Sequence, residues 1–207
     1  DGLRKLNAAL GLSSTFSATA DAIKTIVPAD FVAISLIDGD QHRVRYVQGD
    51  NAEKLAEQEF PIDQGVVGQV IKYRRTLPDN ADYHGNSPVF SPAHLFADYR
   101  SLMVIPLLQE NGPVIGAMTV AAKRADMFTL TCREMLELVA TQVVIKIQLA
   151  KSHERLNRMA TIDELTGIAN RRAYQRGFES MLDRAMRRSS PLFLILCDID
   201  HFKQIND

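Results

Sequence analysis

Apolar residues change their spacing several times along the chain. In the opening stretch Leu3, Leu6 and Leu10, and then Phe16, Ile23 and Val27, fall at helical intervals. Pro28 and Asp30 stop the stripe, which predicts one long helix or two short ones divided near Gly11. FVAISLID and RVRYVQGD then flank Asp38-Gly39-Asp40, the pattern of a hairpin. A second pair of runs, within SLMVIPLLQENGPVIGAMTVAAK, surrounds Glu110-Asn111-Gly112-Pro113 and predicts a second hairpin. These runs are apolar at nearly every position, so the sheet they form is expected to be covered on both faces.

Between the hairpins, GVVGQVIKYRRTL reads as a short helix opened by Gly65 and Gly68. PDNADYHGNSPVFSPAHLFADYR follows it, rich in Pro, Asn, Asp and Ser, and too long for a plain connector. Segments of that length inside a domain are usually functional or disordered. From Thr131 the spacing is helical throughout. Leu138, Gln142, Ile145, Leu149, Ser152, Leu156 and Met159 alternate by four and three, a heptad seam with two polar positions. Its first half can close the N-terminal domain. Its second half is too narrow to bury itself on a globular core and suits a second copy of itself; the alternative is a single amphipathic helix lying on its own domain.

A new unit begins after Asp163. Asn170 is placed to cap a helix whose buried face is expected at Tyr174, Phe178, Met181, Leu182 and Ala185, ended by Ser189-Ser190-Pro191. LFLILCDI then reads as a strand lying centrally in a covered sheet. Asp198 stands at its end, and Asp200, Lys203, Asn206 and Asp207 follow it at once. Hard cations take oxygen ligands, commonly one or two carboxylates plus substrate phosphates, and a lysine beside them can meet phosphate. On spacing alone a metal–phosphate site and an ordinary acidic surface turn both remain open.

Composition narrows the classes. A net charge of −1 gives no global basic field, so no nucleic-acid partner is expected. No apolar run approaches the roughly 20 residues of a membrane span, and no secretory signal is seen. Cys132 and Cys197 fit neither a disulfide framework nor a metal spacing, which makes a reducing cytoplasm the expected location. The five histidines, His42, His84, His94, His153 and His201, make no i, i+4 pair and no Cys/His cluster.

The order helix, hairpin, irregular loop, hairpin, helix, carried by FVAISLIDGD, FPIDQGVVGQVIKYRRTLPDNAD and YRSLMVIPLLQENGPVIGAMTVAAK, resembles the GAF family over roughly Leu3 to Ala150. AAKRADMFTLTCRE does not reproduce the signature of the cyclic-nucleotide-binding members. The loop from Leu77 to Arg100 holds no cysteine, which excludes covalent bilin attachment there. A haem on His84 or His94 stays open beside the plainer reading of both as solvated loop residues. A small-molecule ligand under the loop, of unknown identity, and an empty domain that only dimerises are both compatible with the resemblance.

DELTGIANRRAYQRGF followed by LCDIDHFKQIND resembles the opening of the GGDEF family, the diguanylate cyclases. The first family pattern is met at Asp163, Leu165, Thr166, Gly167, Asn170, Arg171 and Arg172, with Ile168 in place of a leucine. The second is met at Asp198, Asp200, Phe202, Lys203, Ile205, Asn206 and Asp207. The resemblance implies that Asp198 ligates Mg²⁺ with help from the Ile199 carbonyl. It implies that the backbone of His201 and Phe202 and the side chain of Lys203, the catalytic candidate, contact the GTP triphosphate, and that Asn206 reads the guanine edge. Asp163 and Arg171 or Arg172 would shape the domain's opening turn.

The expected architecture is therefore α+β: a GAF fold with a central antiparallel sheet over residues 1–150, a coiled-coil-type helical linker over 138–162, and the incomplete start of an α/β nucleotidyl-cyclase-like GGDEF domain over 163–207. The expected activity, in the parent protein, is condensation of two GTP into cyclic di-GMP and pyrophosphate by a homodimer joined through the linker helix. The 207-residue stretch lacks the GGDEF hairpin and is expected to be inactive alone. The competing reading is a non-catalytic GAF sensor and dimerisation module with a degenerate GGDEF receptor domain.

Overall fold

The structure of the protein, a computed structural model, describes residues 2–50, 52–80 and 83–197. It divides into two units, one up to Ser152 and one from His153.

The first unit is built on a five-stranded antiparallel sheet in the order β3-β2-β1-β5-β4. The helix α1 (Gly2–Ile26) leads into the hairpin of β1 (Phe31–Asp38) and β2 (Gln41–Gln48), with Gly39 taking φ +64° at the turn. The opening stripe thus makes one helix, not two. A short α2 (Ala52–Leu55) and β3 (Glu59–Pro61) follow, then α3 (Gly65–Tyr73), and then the second hairpin, β4 (Ser101–Leu108) and β5 (Val114–Ala122). Both hairpins and α3 stand where turn residues and spacing put them. The sheet's two outer strands each contain a proline, Pro61 in β3 and Pro106 in β4.

Side chains alternate between the two faces of a strand, and here both faces are covered. Val32, Ile34, Met103, Ile105, Met118 and Val120 point to one side, where α1 brings Phe16, Ala20 and Ile23 and the long helix α4 (Leu130–Thr161) brings Leu136, Ala140, Val143, Val144 and Ile147. Phe31, Ala33, Leu102, Val104, Ala117 and Ala121 point to the other, under Val67 and Val70 of α3. The remaining cover on that side is the irregular segment itself, through Tyr83, Val89, Phe90, Phe96 and Tyr99, all buried. Burial of a large apolar side chain contributes about 1.5–3 kcal/mol, so this segment is a structural layer and not a loose connector.

The second unit comprises the last turns of α4, a tight turn, and α5 (Arg171–Arg188). Two expectations fail here. No residue of α5 is buried: Tyr174, Met181 and Leu182 are exposed and Phe178 and Ala185 only half-buried. Leu192–Cys197, the described part of the expected central strand, has no strand structure, and Ile195 and Leu196 are exposed. The reason is the same for both. A strand exists through its ladder and an apolar helix face through its cover, and the described residues of this unit supply no neighbouring strand and no covering layer.

Candidate functional site

The irregular segment and α3 together wall a cavity of about 430 Å³, lined by Val66, Gln69, Leu77, Pro78, Asp79, Tyr83, His84, Asn86, Ser87, Pro88 and Leu102. Gly65 lets the start of α3 lie close against the segment. It adopts φ +66°, and a Cβ there would stand 2.4 Å from the Val89 carbonyl oxygen. That approach lets the first amides of α3, Val66 and Val67, donate to the Pro88 and Val89 carbonyls at 2.9 and 3.1 Å. The segment is further held by Tyr83, whose hydroxyl donates to the Ser87 carbonyl at 2.6 Å and accepts from the Phe96 amide at 3.3 Å. Burial pushes the Tyr83 phenol up from its ordinary pKa.

Of the two loop histidines, His84 lines the cavity and His94 does not. His94 Nδ1 shares a 2.7 Å hydrogen bond with Ser91 Oγ, and its ring stands edge-on to Phe60 at 4.8 Å. Phe60 also meets a residue that the sequence pattern does not single out. His42 on β2 is fully buried, its two ring nitrogens have no hydrogen-bond partner, and it packs beside Phe60 and Phe90. Burial lowers its pKa from 6.5 to about 4, so it is a neutral imidazole at neutral pH.

The cavity rim is tied to α4. Thr76 Oγ1 donates to Glu137 Oε1 at 2.5 Å, and Arg133 Nη2 and Nη1 donate to the Thr76 and Asp79 carbonyls at 2.9 and 2.8 Å. Arg133 Nε also donates to Glu137 Oε1 at 3.2 Å. The only signal of this in the sequence is an Arg and a Glu four residues apart on a helix, a pattern most exposed helices share.

The heptad residues of α4 lie outside the stripe that packs on the sheet. Leu138 is 68% exposed, Ile145 48%, Leu149 69%, Leu156 62% and Met159 57%. Gln142 and Ser152 are exposed with them. Beyond the helix, the Asp163-to-Asn170 turn is closed by its own polar groups. Asp163 Oδ1 accepts from the Thr166 amide at 3.0 Å and hydroxyl at 2.7 Å, which holds its carboxyl below the usual range. Gly167, at φ +70°, donates to the Asp163 carbonyl at 2.9 Å. Asn170 caps α5 by accepting from the Ala173 amide at 3.0 Å. The positions expected to bind metal and nucleotide, Asp198, Ile199, His201, Phe202, Lys203 and Asn206, lie outside the described residues. Among the described residues no group of three His, Cys, Asp or Glu side chains is placed to hold a metal ion, and no helix is long and apolar enough to cross a membrane.

A family model described as GAF domain matches residues 9–148, and one described as diguanylate cyclase, GGDEF domain, matches residues 160–207. The chain belongs to the GAF domain family, and the beginning of a GGDEF domain follows the GAF domain. The fold agrees. The GAF domain region of a putative membrane protein from Geobacter sulfurreducens matches 70% of this chain and 99% of its own, with a TM-score of 0.59 at 19% identity. The GAF-B domain of DevS from Mycobacterium smegmatis matches 69% and 97%, with a TM-score of 0.53 at 21% identity. Among curated proteins, the chain is 40% identical over 60 residues to the probable diguanylate cyclase DgcC of Escherichia coli, covering 29% of this chain and 16% of that protein. It is 30% identical over 76 residues to the diguanylate cyclase DgcS of Shewanella oneidensis, covering 37% and 25%. It is 42% identical over 60 residues to the cyclic di-GMP phosphodiesterase NbdA of Pseudomonas aeruginosa, covering 29% and 8%. The chain thus spans a quarter or less of these relatives.

Proposed function

We propose that the chain is the sensory and dimerising part of a GAF-regulated diguanylate cyclase, which condenses two GTP into cyclic di-GMP with release of pyrophosphate. The observation that carries this reading is the double use of α4. One stripe of it closes the GAF core, and a second, unburied heptad stripe continues along the same helix to Met159, directly before residue 160, where the GGDEF match begins. The reaction joins two substrates held by two catalytic domains, so a seam that pairs two chains answers a need set by the chemistry. A small molecule in the cavity under the irregular segment is the proposed input, and cytoplasmic GTP the substrate.

The roles at the second motif follow from donor chemistry. The Asp198 carboxylate and the Ile199 carbonyl are hard oxygen donors that suit Mg²⁺. Bound there, the ion would neutralise charge on the phosphates. Lys203 adds a point charge for the triphosphate beside the backbone of His201 and Phe202, and the Asn206 amide can pair with a guanine edge. Residues 1–207 alone are expected to make no product, since α5 and Pro191–Cys197 bury nothing that could hold a catalytic surface rigid.

The test is incubation of the full-length parent protein with GTP and Mg²⁺ and chromatography for cyclic di-GMP, beside an Asp198→Ala control. Product that disappears in the control is the expected result. A folded dimer that binds guanine nucleotide and yields no product with or without Asp198 would replace this reading with a non-catalytic receptor.

A further inference from the structure

The proposed function leaves open how a molecule under the irregular segment could reach the seam. We propose that Arg133 and Glu137 are the coupling, a clamp through which the shape of the cavity rim and the setting of α4 constrain each other. The proposal rests on the sensory reading above and adds to it the residues that carry the signal.

The geometry is specific. The Arg133 guanidinium reaches two carbonyls three residues apart, those of Thr76 and Asp79, and so brackets Leu77 and Pro78. Leu77, Pro78 and Asp79 all line the cavity. On its other side Leu77 is pinned to β4, where its amide donates to the Val104 carbonyl at 3.0 Å and its carbonyl accepts from the Val104 amide at 2.8 Å. A molecule pressing on this rim therefore meets a stretch held twice, by β4 at Leu77 and by Arg133 at the flanking Thr76 and Asp79 carbonyls, so that loosening either hold loosens the other. Thr76, itself buried, adds the second grip through Glu137. A planar guanidinium can hold both carbonyls and Glu137 together; a lysine ammonium lacks that fork.

At the other end of the clamp, Glu137 directly precedes Leu138, the first residue of the seam. Arg133 and Glu137 are one turn apart on α4, so a pull on this pair acts on the turn that sets where the seam points. The bonded chain from rim to seam is thus complete in named contacts: Asp79 and Thr76, Arg133 and Glu137, then Leu138.

Coupling of this kind is reciprocal, and amide hydrogen exchange on residues 1–207 can read it from both ends without a ligand or a product. Arg133→Ala is expected to speed exchange at the Leu77 and Val104 amides by at least about fivefold, the lower end of typical coupling between sites. Thr76→Val, which removes the hydroxyl at nearly constant volume, is expected to speed exchange in residues 137–142 of α4 by a similar factor. Arg75→Ala, which removes only the exposed Arg75–Asp79 ion pair, should leave α4 unchanged. If Arg133→Ala loosens the rim while Thr76→Val leaves α4 as it was, the contacts are a local tether and the proposal fails. It fails equally if neither variant changes the opposite end. Should Arg133→Ala not fold, Arg133→Lys keeps the charge without the fork and is expected to give the same pattern. Because exchange reads no product, a negative cyclase assay would sink the proposed function and leave this result standing, and the reverse also holds; wild type and variants are compared at one chain concentration so that any self-association through Leu138 and Gln142 is common to all.

Discussion

The two units of the chain are held by different forces, and one helix passes from the first kind to the second. In the first unit α4 places Leu136, Ala140, Val143, Val144 and Ile147 against a sheet already covered on its other face. In the second unit the same helix is exposed at every residue from His153 to Ala160, and order comes from short-range polar bonds around Asp163 and Asn170. Apolar residues are present in both. Burial, which depends on what lies opposite, is present in one. An apolar stripe therefore states a demand for cover, and where its own unit does not meet it, a partner is the natural place to look.

The comparison can be broken most forcefully at Leu136, which is fully buried. Leu136→Ala should remove about 2–5 kcal/mol from the first unit, through lost transfer energy and the cavity left behind. Urea unfolding would show this as a lower midpoint; a loss below 1 kcal/mol would mean that α4 does not close the core.

His42 tests the first unit in another way. Its folded pKa, about 4, lies below the unfolded value of 6.5. As pH falls through that window the unfolded chain takes up the proton first. Stability is then complete above pH 6.5 and declines toward pH 4 by about 3 kcal/mol, an order-of-magnitude figure for the gap between the two values. His42→Leu should flatten this part of the pH profile, since it replaces an unpartnered buried ring with an apolar one. An unchanged slope in urea midpoints between pH 7 and 4 would assign the effect to other groups.

Smaller effects belong to the second unit. Asn170→Ala removes the cap of α5 and should cost about 1 kcal/mol of local helix stability, measurable as faster amide exchange in its first turn. Leu156→Ala, on the exposed seam, should change the unfolding of a single chain by less than about 0.5 kcal/mol, while weakening self-association in sedimentation. If it instead destabilised the isolated chain as Leu136→Ala does, the contrast between the units would collapse.

How far the fold can be read from the chain follows the same line. The hairpins are legible because Asp38-Gly39-Asp40 and Asn111-Gly112 mark their turns. Alternation over two covered faces explains why Val32 to Ile34 and Leu102 to Leu107 show no polar positions. The layer formed by Tyr83, Val89, Phe90, Phe96 and Tyr99 is not legible, since these residues follow no period and sit among turn formers. The run from Leu192 to Leu196 misleads for the opposite reason: its pattern is that of a strand, and pairing is a property of two segments. In the second unit Asn170 declares itself as a cap residue, whereas the turn role of Asp163 is legible only through the family resemblance. The clamp of Arg133 on Thr76 and Asp79 joins positions more than fifty residues apart and leaves no local trace.

The prolines at the rims of the sheet have a bearing on how copies of this chain can meet. A strand at the margin offers a row of free amides and carbonyls to any other extended chain, the usual route to uncontrolled aggregation. Pro61 and Pro106 each remove a donor from such a row, β3 is only three residues long, and Leu77 already occupies Val104 on the outer side of β4. Extending this sheet with a neighbour's strand is therefore disfavoured at both margins. With both margins blunted, the exposed helix faces are the surface left for copies of this chain to meet on, and crowded copies are kept from joining strand to strand.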